Sequence, residues 1–95
     1  MEPRPLEDLM VALGVPMRIR VLRLLASESA GLPAGEIANR LGLANSSLSK
    51  HMRELCAADL VTAKRQWRTI VYLANPARLD ALRGMIAEEL MPPPG

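Results

Sequence analysis

The feature that most constrains this chain is a change of hydrophobic period at its centre. In "AGEIANRLGLANSSLSKHMREL", residues 34–55, two helical patterns are separated by only a few residues around Gly42. Gly42 suits the left-handed conformation that ends a helix. A short helix, a tight glycine turn and a longer helix with a polar start outline a helix-turn-helix. From Leu60 the period drops to two: "LVTAK" and "TIVYL" flank "RQWR", which reads as a hairpin with Arg65, Gln66, Trp67 and Arg68 in its loop.

The longer helix, residues 45–58, can be laid out at 100° per residue. Leu48, Met52 and Leu55 converge on one side, while Ser46, Lys50, Arg53 and Ala57 fall opposite, flanked by Ser47, Ser49 and Glu54. The apolar side packs inward and leaves a face of hydroxyls and cations. Small hydroxyl side chains allow close approach, and they donate to phosphate oxygens or base edges, as a helix N-terminus does. A DNA major groove fits that face. A cationic hairpin directly after such a helix is the arrangement of a winged helix.

Charge is distributed to match. The net charge is only +2, but residues 40–68 carry Arg40, Lys50, Arg53, Lys64, Arg65 and Arg68 against Glu54 and Asp59, a local excess of four, while both flanks are slightly acidic. The plain alternative is an ordinary solvated face.

The flanks supply the rest of the domain. "PLEDLMVALG" places Leu6, Leu9, Met10 and Leu13 on one helical face, and Gly14 stops it. Pro16, tolerated in a first turn, opens a second helix that is apolar around much of its circumference and should be central. Asn75 and Pro76 read as cap and first position of a last helix, with Leu79, Leu82, Ile86 and Leu90 in one stripe. The expected architecture is mainly α with a small β-hairpin: five helices plus a two-stranded wing over 61–73. It forms one winged-helix domain over residues 1–91, with a disordered proline-rich tail at 92–95.

Ninety-five residues with no Phe, one Trp and one Tyr require an aliphatic core, and a domain this small gains from a partner subunit. No apolar run approaches membrane-spanning length, so a soluble, cytoplasmic protein is expected. A lone cysteine, Cys56, excludes an internal disulfide and multi-thiolate metal sites. One His and one Cys assemble no nucleophile–base set, and no phosphate-binding glycine loop is present, so no catalysis and no cofactor are expected.

"VPMRIRVLRLLA", "GEIANRLGLANSSLSKHMRELCAADLV" and "KRQWRTIVYLAN" together resemble the ArsR family of winged-helix transcriptional repressors, over nearly the whole chain and in the family's order. The resemblance implies a homodimer joined by the first and last helices, here through Leu6, Leu9, Met10, Leu13, Leu79, Leu82, Ile86 and Leu90. It implies recognition helices in successive major grooves of an inverted-repeat operator. By position, Asn45, Ser46, Ser47, Ser49 and Lys50 match base and phosphate contacts, Arg53 a phosphate contact, and Lys64, Arg65 and Arg68 the wing, with Gln66 and Trp67 between them.

The chain departs from that family at its sensor sites. "LPAGEIA" lacks the cysteines of the arsenic or cadmium site, and "NPARLDALRGMIAEEL" lacks the histidines of the zinc site. No metal site of the usual kind is expected, and any inducer is an unknown small molecule or a redox signal. Ala44 stands where a serine cap is frequent, so the cap can pass to Asn45 and remove it from base recognition. Trp67 stands where glycine is frequent; its indole either inserts beside a sugar, stacks on neighbouring arginines, or packs back onto the hairpin. Cys56 reads as a partly buried inert thiol and His51 as structural, with an intersubunit metal site using them as a remote alternative. A winged-helix module that binds protein instead of specific DNA remains the alternative function.

Overall fold

The computed structural model describes residues 5–91, so the tail expected at 92–95 lies outside the described residues. Within them the order is α1 (Pro5–Leu13), α2 (Pro16–Ala26), β1 (Leu32–Pro33), α3 (Ala34–Leu41), α4 (Asn45–Ala57), β2 (Val61–Gln66), β3 (Thr69–Ala74) and α5 (Pro76–Leu90). Local chemistry explains most of these boundaries. Pro16 and Pro76 open α2 and α5, where a missing N–H loses no helical bond. Asn75 caps α5, its side chain accepting from the Arg78 N–H at 3.3 Å.

Both helices of the central motif end in the same way. After α3, Leu43 N–H donates to Ala38 O and Gly42 N–H to Asn39 O, with Gly42 at φ 67°. After α4, Leu60 N–H donates to Leu55 O and Asp59 N–H to Cys56 O, with Asp59 at φ 60°. These paired bonds satisfy carbonyls that a helix end leaves without partners and turn the chain sharply. The second turn sends the chain from α4 straight into the hairpin. Asn75 then fastens the hairpin's far end, its N–H donating to Leu60 O at 3.0 Å and its amide to Asp59 O at 2.8 Å.

The core is aliphatic, as the lack of Phe requires: Leu9, Val21, Leu25, Ile37, Leu48, Met52, Leu55, Leu60 and Val61 are almost wholly buried. Every element of the motif contributes to this one cluster, so α3, α4 and the base of the wing are held as a unit.

The sheet has three strands where the hairpin alone was expected, in the antiparallel order β1–β3–β2. Leu32 pairs with Tyr72 and Pro33 with Val71, while β2 and β3 pair from Val61–Ala74 to Gln66–Thr69. The extra strand depends on Gly31, at φ 80°: a Cβ there would lie 2.6 Å from Tyr72 O and 2.8 Å from the side chains of Val71 and Leu73. Only glycine permits that approach.

The stripes on α1 and α5 are divided differently from the expectation. Leu6, Leu9 and Leu82 are buried in this chain's own core, because α1 packs against α5 and α4 within the single chain. Assigning these three to a partner subunit is therefore corrected. Leu13, Leu79 and Ile86 are half-buried at the edge of that core, and Met10 and Leu90 are exposed together with Val11 and Met91.

Candidate nucleic-acid interface

All eleven residues singled out on the central helix and hairpin are exposed: Asn45, Ser46, Ser47, Ser49, Lys50 and Arg53 on α4, and Lys64, Arg65, Gln66, Trp67 and Arg68 on the wing. On α4 they are exposed because the opposite side is anchored, Leu48, Met52 and Leu55 burying the inner face, and on the wing because β2 is buried only at Val61, so the hairpin beyond it stands clear of the core. The helix is positioned by its apolar face and presents its polar one.

Ala44 is the residue before α4 and makes no side-chain cap bond, so the cap does not pass to Asn45. Asn45 lies in the first turn of the helix, with its side chain exposed. Ala44 O accepts from Leu48 N–H, but the earlier N–H groups of the first turn have no side-chain cap. That end of α4 is therefore an uncapped array of donors with partial positive charge, suited to a phosphate oxygen. Ser49 Oγ donates to Asn45 O at 3.0 Å, which leaves its lone pairs outward. Ser46 and Ser47 keep both donor and acceptor capacity.

The cations differ sharply in their surroundings. Arg40 Nε donates to Glu36 at 2.8 Å and its Nη1 to Glu28 at 2.9 Å. These bonds, Glu36 first, hold the guanidinium still further toward its charged form. Arg40 thus drops out of the basic excess counted from sequence. Among the described residues, Lys50, Arg53, Lys64, Arg65 and Arg68 have no carboxylate partner. Five uncompensated cations on one helix and the adjoining hairpin make an anion-binding surface.

The wing turns in two residues, not four. Arg65 and Gln66 belong to β2, and Trp67 and Arg68 alone form the turn. Arg65 Nε donates to Trp67 O at 3.2 Å, which steadies the loop. Trp67 has φ 59°, a conformation that disfavours a side chain with a Cβ by about 1–2 kcal/mol, and glycine's frequency at this point follows from it. The indole is 95% exposed, so it does not pack back onto the hairpin.

His51 and Cys56, the other reactive side chains of α4, are turned to structural roles. His51 Nδ1 accepts from Arg18 Nε at 3.3 Å, and Arg18 also donates to Ala12 O at 3.0 Å, which links α4 to α2 and α1. Burial, and then the charge of Asp59, push the Cys56 thiol up, the reverse of what activates a cysteine. Among the described residues no group of three or more His, Cys, Asp or Glu could hold a metal ion. No described helix is long and apolar enough to cross a membrane.

A helix-turn-helix whose second helix runs into an antiparallel, basic hairpin defines a winged-helix protein. A family model described as a helix-turn-helix domain matches residues 13–63, more than half of the chain, and the chain belongs to that family. It is an ArsR-like winged-helix transcriptional regulator. The nodulation protein NolR of Rhizobium meliloti is 29% identical over 92 residues, covering 90% of this chain and 74% of that protein. An ArsR-like transcriptional regulator from a Rhodococcus species superposes with a TM-score of 0.76 at 28% identity, covering 86% of this chain and 76% of that one. The homodimeric winged helix-turn-helix DNA-binding domain of a possible ArsR-family regulator from Mycobacterium bovis gives 0.73 at 27% identity, covering 92% and 82%.

Proposed function

We propose that this chain is a dimeric, sequence-specific transcriptional repressor that binds an inverted-repeat operator through residues 45–58 and the wing, 61–73. The observation that carries the reading is the exposed polar side of α4 and the exposed hairpin that follows it, with five cations that no carboxylate neutralises among the described residues. Ser46 and Ser47 enter the major groove with Asn45, where their size allows close approach. Lys50, Arg53 and the uncapped start of α4 meet phosphates of the same groove. Lys64, Arg65, Gln66 and Arg68 hold the flanking backbone.

The dimer forms through the outer side of α1 and α5, where Met10, Val11 and Leu90 are exposed next to half-buried Leu13, Leu79 and Ile86. The homodimeric state of the relative from Mycobacterium bovis supports a dimer. Met10→Glu and Leu90→Glu probe this face mildly, since neither side chain belongs to the core. Each should shift sedimentation toward monomer while far-ultraviolet dichroism stays helical, and a dimer unaffected by both places the subunit contact elsewhere. Such a repressor works in the cytoplasm, beside the DNA it reads. Its inducer is not a thiolate-bound metal, since Cys56 is the only sulfur ligand of that kind.

The test of DNA recognition is a set of three variants on a bound duplex. Lys50→Ala and Arg65→Ala should each weaken binding and lower the slope of log affinity against log salt by about 0.9 for each phosphate no longer neutralised. Ser47→Ala should shift base preference more than affinity. Unchanged binding in all three would remove this face from the DNA. Weak, equal binding to every sequence would instead support a protein-interaction module.

A further inference from the structure

Where the end of α2, the central strand of the sheet and the start of α5 meet, the chain leaves a hollow of about 300 Å³. Leu25, Leu73, Ala74 and Leu79 supply apolar walls, and Glu28 and Ser29 line it from the loop after α2. Folded interiors are close-packed, and a concavity of this size reaches the lower end of the volumes that hold small molecules. Its walls are preformed. Glu28 N–H donates to Leu25 O at 3.1 Å and Gly31 N–H to Glu28 O at 2.9 Å, which fixes the loop, and β1 then ties it to β3. Charge selects the kind of occupant. Arg40 is shared between Glu28 at 2.9 Å and Glu36 at 2.8 Å, so two carboxylates face one guanidinium and one negative charge is left in excess. Arg40 engages only Oε1 of Glu28, and the Ser29 hydroxyl has no partner among the described residues. Both side chains can accept from a donor that enters the hollow, and the carboxylate favours a cationic one.

The position of the hollow links it to the reading surface. Asn75 and Arg78 bind the start of α5 to the end of α4, Arg78 Nε donating to Ala58 O at 3.2 Å, while Pro76 and Leu79 beside them border the hollow. Leu73 and Ala74 belong to the strand that carries the wing. An occupant therefore presses on α5 and on the wing together. We infer that this hollow is an effector site for a compact apolar molecule with an amino group at one end, its body against Leu25, Leu73 and Leu79 and its ammonium on Glu28 and Ser29. The inference rests on the reading of the chain as a dimeric DNA-binding repressor and names the chemical class of its inducer. A molecule wedged between β3 and the start of α5 alters the spacing of two recognition helices joined through α5. It lowers operator affinity because it fits the displaced arrangement better than the one that spans both half-sites.

The probes are hexylamine, cyclohexylamine and phenethylamine at millimolar concentration, with phenethyl alcohol and phenylacetate as similar bodies that lack the cation. Binding to the full chain is read without DNA from backbone amide shifts in NMR spectra, and coupling from the anisotropy of an end-labelled duplex selected from a random library. At least one amine should shift the amides of Ser29, Leu73, Ala74 and Leu79 and weaken duplex binding by about fivefold or more. The alcohol should bind more weakly and phenylacetate not at all. Glu28→Gln should lose the preference for amine over alcohol. Ala26→Phe, which fills the mouth from an exposed position, should abolish amine binding while far-ultraviolet dichroism stays helical. No shift at these amides with any amine, equal binding of phenethylamine and phenylacetate, or amine binding that leaves duplex affinity unchanged overturns the inference and leaves the DNA-binding reading standing. An Ala26→Phe chain that sediments as monomer where wild type is a dimer would place a second copy over the hollow and overturn it too. Selection of no duplex by the wild-type chain overturns the DNA-binding reading and the effector role together, whatever the amide shifts show.

Discussion

Arg40 and the pair Lys50 and Arg53 belong to the two successive helices of one motif, and the chain uses them in opposite ways. Arg40 is clamped between Glu28 and Glu36, so its charge is neutralised where it stands and it ties α3 to the turn before β1. Lys50 and Arg53 sit on a helix whose nearest acids make no ion pair with them, so their charge projects outward. Side chains of one chemical kind thus serve the scaffold when they are matched and face solvent as a charged surface when they are not. The same division separates the two sides of α4: Leu55 is wholly buried and fixes the helix, while Arg53, two positions away, is exposed.

That division fails if scaffold and face variants have the same phenotype. Leu55→Ala should give the largest effect, a loss of about 2–5 kcal/mol in unfolding free energy, measured by denaturant titration. DNA binding by whatever remains folded should keep its salt slope. Gly31→Ala comes next, losing about 2–3 kcal/mol as β1 is driven from β3, again read by denaturant unfolding. Lys50→Ala should leave the unfolding midpoint alone yet weaken duplex binding about tenfold at moderate salt.

Smaller effects locate the boundary more finely. Arg40→Ala removes two exposed ion pairs and should leave the unfolding midpoint nearly unchanged, with no change in the salt slope of DNA binding. A slope that fell as it does for Lys50→Ala would move Arg40 onto the DNA face. Cys56→Ser should leave DNA affinity unchanged before and after mild peroxide. Since burial and Asp59 raise the thiol pKa, alkylation of Cys56 at neutral pH should be slow and should accelerate only as pH climbs above the ordinary cysteine range.

Much of this arrangement is written in local sequence. Gly42 forecasts the turn between α3 and α4, Asn75 and Pro76 the start of α5, and the spacing of Leu48, Met52 and Leu55 the side of α4 that faces inward. Each of these depends on residues within one or two helical turns of each other. The features that escaped depend on distant partners. Leu32 and Pro33 are too short a strand to show a period, and they become one only by lying against Val71 and Tyr72. Leu6, Leu9 and Leu82 form good stripes, but a stripe states that a face is apolar, not whether this chain or another covers it. The pairing of Arg40 with Glu28 spans twelve residues and is invisible to a count of charges. The exposure of Trp67 likewise follows from the two-residue turn, which places the indole beyond the reach of either strand.

The measurement that bears hardest on α4 and the wing as one sequence-reading DNA surface, repeated by a two-fold axis, is selection of bound duplexes from a random DNA library at physiological salt. The expected product is an inverted repeat whose half-sites are separated by about one helical turn or a multiple of it, as two recognition helices in successive major grooves require. Recovery of no preferred sequence, with only weak salt-sensitive binding, would contradict that surface's role.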